Sequence, residues 1–231
     1  SSGRPHLMLL LALSLFAPLA DDPQPLMLET LDRYAKLDSF SSTLVHQDSS
    51  GLFPGSFTQE LKWKKGGRFE LIVTKPNKKK LEPGSQGGYA PDFYSDGEQV
   101  HSFWKGNAQA STPIKPPENT SPGWEVSGGP ILSFLVDSGV SKFYKNPPPH
   151  ITLTFTWGPR VKWQGEEVRE VKMAMTQGDV TLPIYMFLTK DAKEFVGYEW
   201  ETGKAKLGWM HYTNRKENPV LPLTLGTRPK A

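Results

Sequence analysis

The chain of 231 residues has no cysteine. Disulfides, thiolate nucleophiles and zinc–thiolate centres are therefore excluded, and the chain suits an oxidising or a reducing compartment equally. Charge of one sign is scarce too, with 27 Lys and Arg against 24 Asp and Glu and a net charge of +3, too little for a protein whose main partner is nucleic acid. Histidine is thin. His46, His101, His150 and His211 stand singly, without the close His or carboxylate spacing of a metal site, so they read as surface or packing residues and neither a metal nor a cofactor is expected. Long apolar runs are missing as well: the conspicuous one, Leu7 to Leu15, is too short for a bilayer, which needs about 20 residues.

That short run, "LMLLLALSL", is followed by Pro18, Ala20 and the acidic pair Asp21-Asp22. The order of apolar stretch, small residue and polar start is that of an export signal. Residues 1–20 are read as a signal peptide, with residues 1–7 an extraneous leader and Met8 the native start. The alternative is an apolar helix packed on the body. Export would place the remainder, residues 21–231, in the periplasm as one domain, a size that buries a substantial core.

Pro23 and Pro25, with Asp22 as a cap, precede Leu28, Leu31, Tyr34 and Ala35 at helical spacing, which predicts an amphipathic helix over 24–38. From Phe40 onward the apolar period changes to two. In "ITLTFTW" (151–157), Leu153, Phe155 and Trp157 share a face with Ile151, opposite three threonines. Leu61 and Trp63 likewise oppose Lys62 and Lys64, and Phe69, Leu71 and Val73 oppose Arg68 and Glu70. Strands with one apolar face form a sheet that must be covered on that face. "DFYSDGEQVHSFW" (92–104) reads as a hairpin turning at Asp96-Gly97. Further strands are expected near 160–164, 167–176, 181–189, 194–201 and 205–213. In "GGPILSFLVDSG" (128–139), Pro130 stands where a first helical residue sits and Gly139 just past the end. That segment predicts a short apolar helix over about 130–138, with a buried strand as the alternative.

One N-terminal helix, a meander, an Asp-Gly hairpin, a short apolar helix and more meander, in that order, resemble the lipoprotein-carrier superfamily typified by LolA. The pieces are "LDRYAKLDSFSSTLV" (31–45), "FTQELKWKKGGRFELIVTKP" (57–76), "YSDGEQVHSFW" (94–104) and the 128–139 segment, and the order points to a remote periplasmic member. The resemblance implies a mainly β, α+β fold: one strongly curved antiparallel sheet forming an incomplete β-barrel, its concave face covered by the N-terminal helix and a lid helix. It implies a carrier of lipid, lipoprotein acyl chains or another hydrophobic ligand. An envelope-stress or lipoprotein sensor on the same fold is the alternative, and an enzyme grafted on the scaffold a third.

On that reading Leu61, Trp63, Phe69, Leu71, Val73, Leu153, Phe155, Trp157, Met173, Met175 and Met186 line the ligand site. Thioethers fill irregular space well. Ile131, Leu132, Phe134 and Leu135 form the lid. Lys65, Arg68, Lys78, Lys79 and Lys80 are candidates for contact with anionic headgroups, worth about 1 kcal/mol each, with a solvated loop the plainer reading of the lysine run. Where the superfamily has an Arg-Pro pair between its second and third strands, this chain has Lys64-Lys65-Gly66-Gly67-Arg68. Glu166-Glu167 reads as a solvated hairpin tip and not a catalytic pair. The expected protein is monomeric, binds no nucleic acid and makes transient membrane or envelope-protein contacts.

Overall fold

The computed structural model describes residues 22–48, 55–75, 91–104, 107–115, 123–137, 139–201 and 207–227. The signal-like segment and Lys78, Lys79 and Lys80 lie outside them. Helix α1 (Pro23–Tyr34) begins as the sequence predicts: the Asp22 carboxylate accepts the N–H of Gln24 at 2.9 Å, and proline occupies the first turn. It ends earlier than residue 38, because the N–H groups of Lys36 and Leu37 turn back to the carbonyls of Arg33 and Tyr34 in a tighter final turn. Met27, Leu31 and Tyr34 are buried. Thr30 donates to the Ala192 carbonyl at 2.7 Å and the Tyr34 hydroxyl accepts the Phe195 N–H at 3.1 Å, so α1 is fixed to one end of the sheet by polar bonds and along its length by packing.

The strands are β1 (Ser39–Asp48), β2 (Gly55–Lys64), β3 (Arg68–Lys75), β4 (Asp92–Asp96), β5 (Gln99–Trp104), β6 (Asn107–Pro113), β7 (Thr152–Trp157), β8 (Lys162–Trp163), β9 (Glu166–Gln177), β10 (Val180–Thr189), β11 (Phe195–Glu201) and β12 (Leu207–Glu217). They pair antiparallel in one sheet of order β6-β5-β4-β3-β2-β1-β12-β11-β10-β9-β7, with β8 on β9 to the side. β6 and β7 end the path without meeting, so the barrel is incomplete. Pairing of β1 with β12 joins the two meanders. The Asp-Gly hairpin is present: Asp96 accepts the N–H groups of Glu98 and Gln99 at 2.8 Å, and Gly97 has φ 103°. β6, "NAQASTP", has no apolar alternation and was not legible.

Two further helices lie on the apolar side. α2 (Gly123–Leu135) is two legs bent at Gly129, whose φ 64° and ψ −166° only glycine adopts without strain. The expected helix over 130–138 is its second leg, and proline does take that leg's first position. The structure corrects its extent: a first leg from Gly123 precedes the bend, and α3 (Gly139–Lys145) follows where the sequence suggested only a stop. α2 packs on α1, α3 and β2. The main core is what lies between these helices and the sheet.

The concave face and its convex counterpart

Alternation puts Phe40, Leu44 and His46 of β1, Phe57, Gln59, Leu61 and Trp63 of β2, and Phe69 and Leu71 of β3 on the concave face, all buried. Of the residues expected to line a ligand site, Leu61, Trp63, Phe69, Leu71, Met173 and Met186 are fully part of this core. Val73 and Met175 are half-buried. Leu153, Phe155 and Trp157 of β7 are also half-buried and pack against the core, together with Ile184, Tyr198 and Trp200. Ile131, Leu132, Phe134 and Leu135 of α2 are all buried, between 0% and 6% exposed, so the second leg inserts its apolar side chains into the sheet's hollow.

The covering is uneven. Toward β4–β6 a pocket of about 250 Å³ opens between Phe93, Val100, Ser102, Ala110, Thr112 and the start of α2 at Gly123 and Trp124. Toward β7–β11 the apolar wall runs past the helices: Tyr198 and Trp200 lie side by side with centroids 5.2 Å apart and planes tilted by 33°, and Leu182 and Val180 beyond them are 46% and 59% exposed.

A short polar path crosses the apolar face at the bend of α2. The carboxamide of Gln59, fully buried, bonds the Ser127 hydroxyl at 3.0 Å, beside the imidazole of His46. His46 stacks on Phe57 with ring centroids 4.2 Å apart and planes 10° from parallel. Its Nε2 has no hydrogen-bond partner among the described residues, and burial pushes its pKa down to about 3, so the ring is neutral. Next to Ser127 the Gly128 carbonyl accepts the Tyr212 hydroxyl at 2.7 Å. Any side chain at Gly129 would strike that hydroxyl and the Met210 sulfur. The bend is therefore seated on the floor of the sheet. By sequence His46 read as a surface or packing residue, and nothing there signalled Gln59 or Ser127, which are 68 positions apart.

The convex face of β9–β12 is covered differently. Residues 158–166 form a strap that lays Trp163 on Phe187, centroids 4.3 Å apart, beside Trp209 and His211. Gly197 makes the space: a Cβ there would lie 2.7 Å from the indole. Trp163 Nε1 donates to Glu199. Arg160 bridges buried Glu170 and Glu199 at 2.5 Å each and lies over the rings of Phe187 and Tyr185. Arg160, Glu170, Tyr185 and Glu199 border a cleft of about 430 Å³ with Trp157, Lys172 and Glu201. The expectation of a solvated tip at Glu166-Glu167 holds for Glu167 alone. Glu166 bonds His211 and Arg215 at 2.7 Å, and although burial raises its carboxyl, those two bonds outweigh burial and hold it below the usual range. At the other turn Lys65 bonds Asp38 at 3.2 Å, with both side chains exposed, and Arg68 is exposed. Among the described residues no cluster of His, Asp or Glu suits a metal ion, and no helix is long and apolar enough to cross a membrane.

An unclosed antiparallel sheet wrapped on helices is a half-barrel of the kind the sequence resemblance implied. No family model and no curated protein matches the chain. Among solved structures it is similar to LprF from Mycobacterium bovis, 15% identical over 88% of this chain and 97% of that one, with a TM-score of 0.48. It is also similar to the lipoprotein LppX from Mycobacterium tuberculosis, 11% identical over 86% and 98% of the two chains (TM-score 0.44), and to the LolA superfamily protein NE2245 from Nitrosomonas europaea, 11% identical over 90% and 98% (TM-score 0.37). At these identities the likeness concerns the fold.

Proposed function

We propose that the chain is an exported, periplasmic carrier or reservoir that holds a lipid, lipoprotein acyl chains or another hydrophobic ligand against the concave face, without catalysing a reaction. The observation that carries this reading is the continuity of the apolar surface: the buried core packs directly against the half-buried wall of Leu153, Phe155, Trp157, Ile184, Tyr198 and Trp200. The pocket beside Trp124 supports it from the other end. Burial yields about 25 cal/mol for each Å² of apolar surface, so one acyl chain gains several kcal/mol there with no directional contact. The second leg of α2 is the lid. Its Ile131, Leu132, Phe134 and Leu135 stand in for ligand when the site is empty, and Gly129 is the bend about which it moves. Leu61, Trp63, Phe69, Leu71, Val73, Met173, Met175 and Met186 then line the opened hollow. Lys65 and Arg68, exposed at the β2–β3 turn, are available to anionic headgroups.

Native mass spectrometry of the purified protein tests this, with a co-purified or added lipid retained at one per monomer as the expected result. Failure to retain any hydrophobic molecule would remove the carrier reading. A second reading, a module that binds a partner protein, rests on the exposed Val180 and Leu182 of the β9–β10 hairpin.

A further inference from the structure

After β12 the chain turns back over the outside of the sheet, and there Val220 and Leu223 are 102% and 85% exposed. They do not stand on a loose end. The Asn218 side-chain oxygen accepts the Asp38 N–H at 2.9 Å, the Ser39 hydroxyl donates to the Pro219 carbonyl at 2.7 Å, and the Gly226 N–H donates to the Glu70 carboxylate at 3.1 Å. Leu225 is buried, and Gly226 lies so close to the Ser95 carbonyl that any side chain there would collide with it. Ser39, Lys64, Arg68 and Asp96 are successive cross-strand partners from β1 to β4, so the segment follows that row across one end of the sheet on its convex side. Between the anchors Pro219 and Pro222 restrict the backbone and the Leu225 N–H turns back to the Pro222 carbonyl at 3.2 Å. Single apolar side chains scattered on a surface are ordinary; this pair shares one short segment pinned at both ends.

The same side carries positive charge without an internal counterpart. Lys62 and Lys64 alternate with buried Leu61 and Trp63, Arg68 is the partner of Lys64, and Lys216 and Lys62 flank Ser41 from opposite sides. Among the described residues none of these four cations is in an ion pair, whereas Asp38 is taken by Lys65, Glu70 by the Gly226 N–H and Asp96 by N–H groups of its own turn. The sequence beyond the segment adds Arg228 and Lys230. We propose that segment 219–225, with Lys62, Lys64, Arg68 and Lys216 around it, is a docking surface for an anionic lipid bilayer. Val220 and Leu223 enter the boundary between headgroups and acyl chains, and the cations meet lipid phosphates. An apolar groove on a partner protein would satisfy the two side chains, but a sheet of phosphates also answers cations spread over β2, β3 and β12. The surface is on the convex side and cannot touch a ligand in the hollow, so the inference goes beyond the carrier reading and stands without it.

Because the chain has no cysteine, Leu223→Cys can carry a single environment-sensitive fluorophore. Val161→Cys, at a position 72% exposed on the convex side of β9–β12, is the control. With vesicles of phosphatidylcholine and phosphatidylglycerol in equal parts, the label at 223 is expected to shift to the blue and the label at 161 to stay, and neither to respond to phosphatidylcholine alone. In co-sedimentation of the unlabelled protein with the anionic vesicles, replacing both Val220 and Leu223 by serine should weaken binding by about tenfold. Lys62→Gln and Lys216→Gln should each weaken it by about fivefold, an effect that fades in 0.5 M salt. Thermal melts of the variants should match the parent, since the replaced side chains are exposed. Absence of sedimentation with anionic vesicles, an unshifted label at 223, an equal shift at 161, or full binding by the double serine variant overturns the proposal and leaves Val220 and Leu223 to a partner protein. None of these results touches the carrier reading, which is decided by lipid retained in the hollow.

Discussion

The concave and convex faces of this sheet are held by different forces. On the concave face of β1–β3, Phe40, Leu44, Leu61, Phe69 and Leu71 meet α1 and α2 through apolar contact, which is non-directional and survives sliding. On the convex face of β9–β12 the strap 158–166 is pinned by Arg160 between Glu170 and Glu199 and by the Trp163 indole on Glu199. Such directional bonds tolerate no sliding. One side of β9–β12 is fixed from outside by charged groups, and the side that faces the helices is held mainly by apolar packing, with neutral hydrogen bonds at the bend of α2 and where α1 meets Ala192 and Phe195.

The largest expected effect comes from breaking the outer clamp. Trp163→Ala removes an indole packed on Phe187, Trp209 and Gly197 and leaves the Glu199 carboxylate short of a donor. Truncation of a buried Trp costs about 3–5 kcal/mol, to be read in urea unfolding. If the faces are as separate as the structure indicates, the folded variant binds a hydrophobic probe as the parent does. A loss of probe binding in proportion to stability would show that the two faces act as one.

Next in size is the response of His46 to acid. Its pKa falls from 6.5 in the unfolded chain to about 3 in the folded protein. Between those values the unfolded state binds the extra proton, so stability rises with pH in this window and is lost on acidification, by about 1.4 kcal/mol per pH unit. Above pH 6.5 both states are neutral and the term vanishes. Urea titrations of the parent and His46→Phe at pH 7, 6, 5 and 4 should therefore diverge below pH 6.5, with the variant gaining relative to the parent at each step. Parallel curves would mean that the imidazole is open to water.

The same contrast explains what the sequence revealed. Period-two alternation made β2, β3 and β7 legible because their apolar faces meet a core on one side only, and Asp96-Gly97 marked its turn by chemistry that acts within four residues. Local signals stop there. The strap was read as one more strand, since "VKWQGEE" does not tell that Trp163 crosses to the convex face and lands on Phe187 and Gly197. Glu166 looked solvated because its partners, His211 and Arg215, are 45 and 49 residues away. β6 stayed hidden because small polar residues carry no period. The first leg of α2 was missed because its glycine and serine content argues against helix, and only packing on β2 and α1 overrides that propensity.

A more modest effect is expected on the concave side. Replacing Leu132 and Leu135 by serine removes two buried apolar side chains from the second leg of α2, worth roughly 3–6 kcal/mol of burial in the closed form. Part of that should reach the ligand, weakening uptake of a fluorescent fatty acid by about tenfold, or about 1.4 kcal/mol. A thermal melt confirms that the variant is folded. Parent-like binding by the folded double variant would take the lid role from α2 and favour the partner-binding reading.

The smallest effect tests whether the β2–β3 turn takes part in opening. At this turn the chain has Lys65 where the superfamily it resembles has an Arg-Pro pair, and a lysine cannot reproduce the planar fork of arginine. Lys65 makes its ion pair with Asp38 at 3.2 Å, with side chains 68% and 80% exposed, and its N–H bonds the Asp38 carbonyl at 2.9 Å. Both contacts fall on Asp38, between α1 and β1, so the lysine ties the turn to the sheet's own end and not to α2. Exposed pairs of this kind contribute about 0–1 kcal/mol and are screened by salt. Lys65→Ala should therefore lower the unfolding free energy, read in urea, by less than about 0.5 kcal/mol, leave probe affinity within twofold, and lose even that small difference in 0.5 M salt. A tenfold change in probe affinity at unchanged stability would mean the opposite: that Lys65 leaves Asp38 and reaches α2 or the ligand when the lid moves. The Lys65→Arg variant would then bind more tightly than the parent, by restoring the fork that the turn lacks.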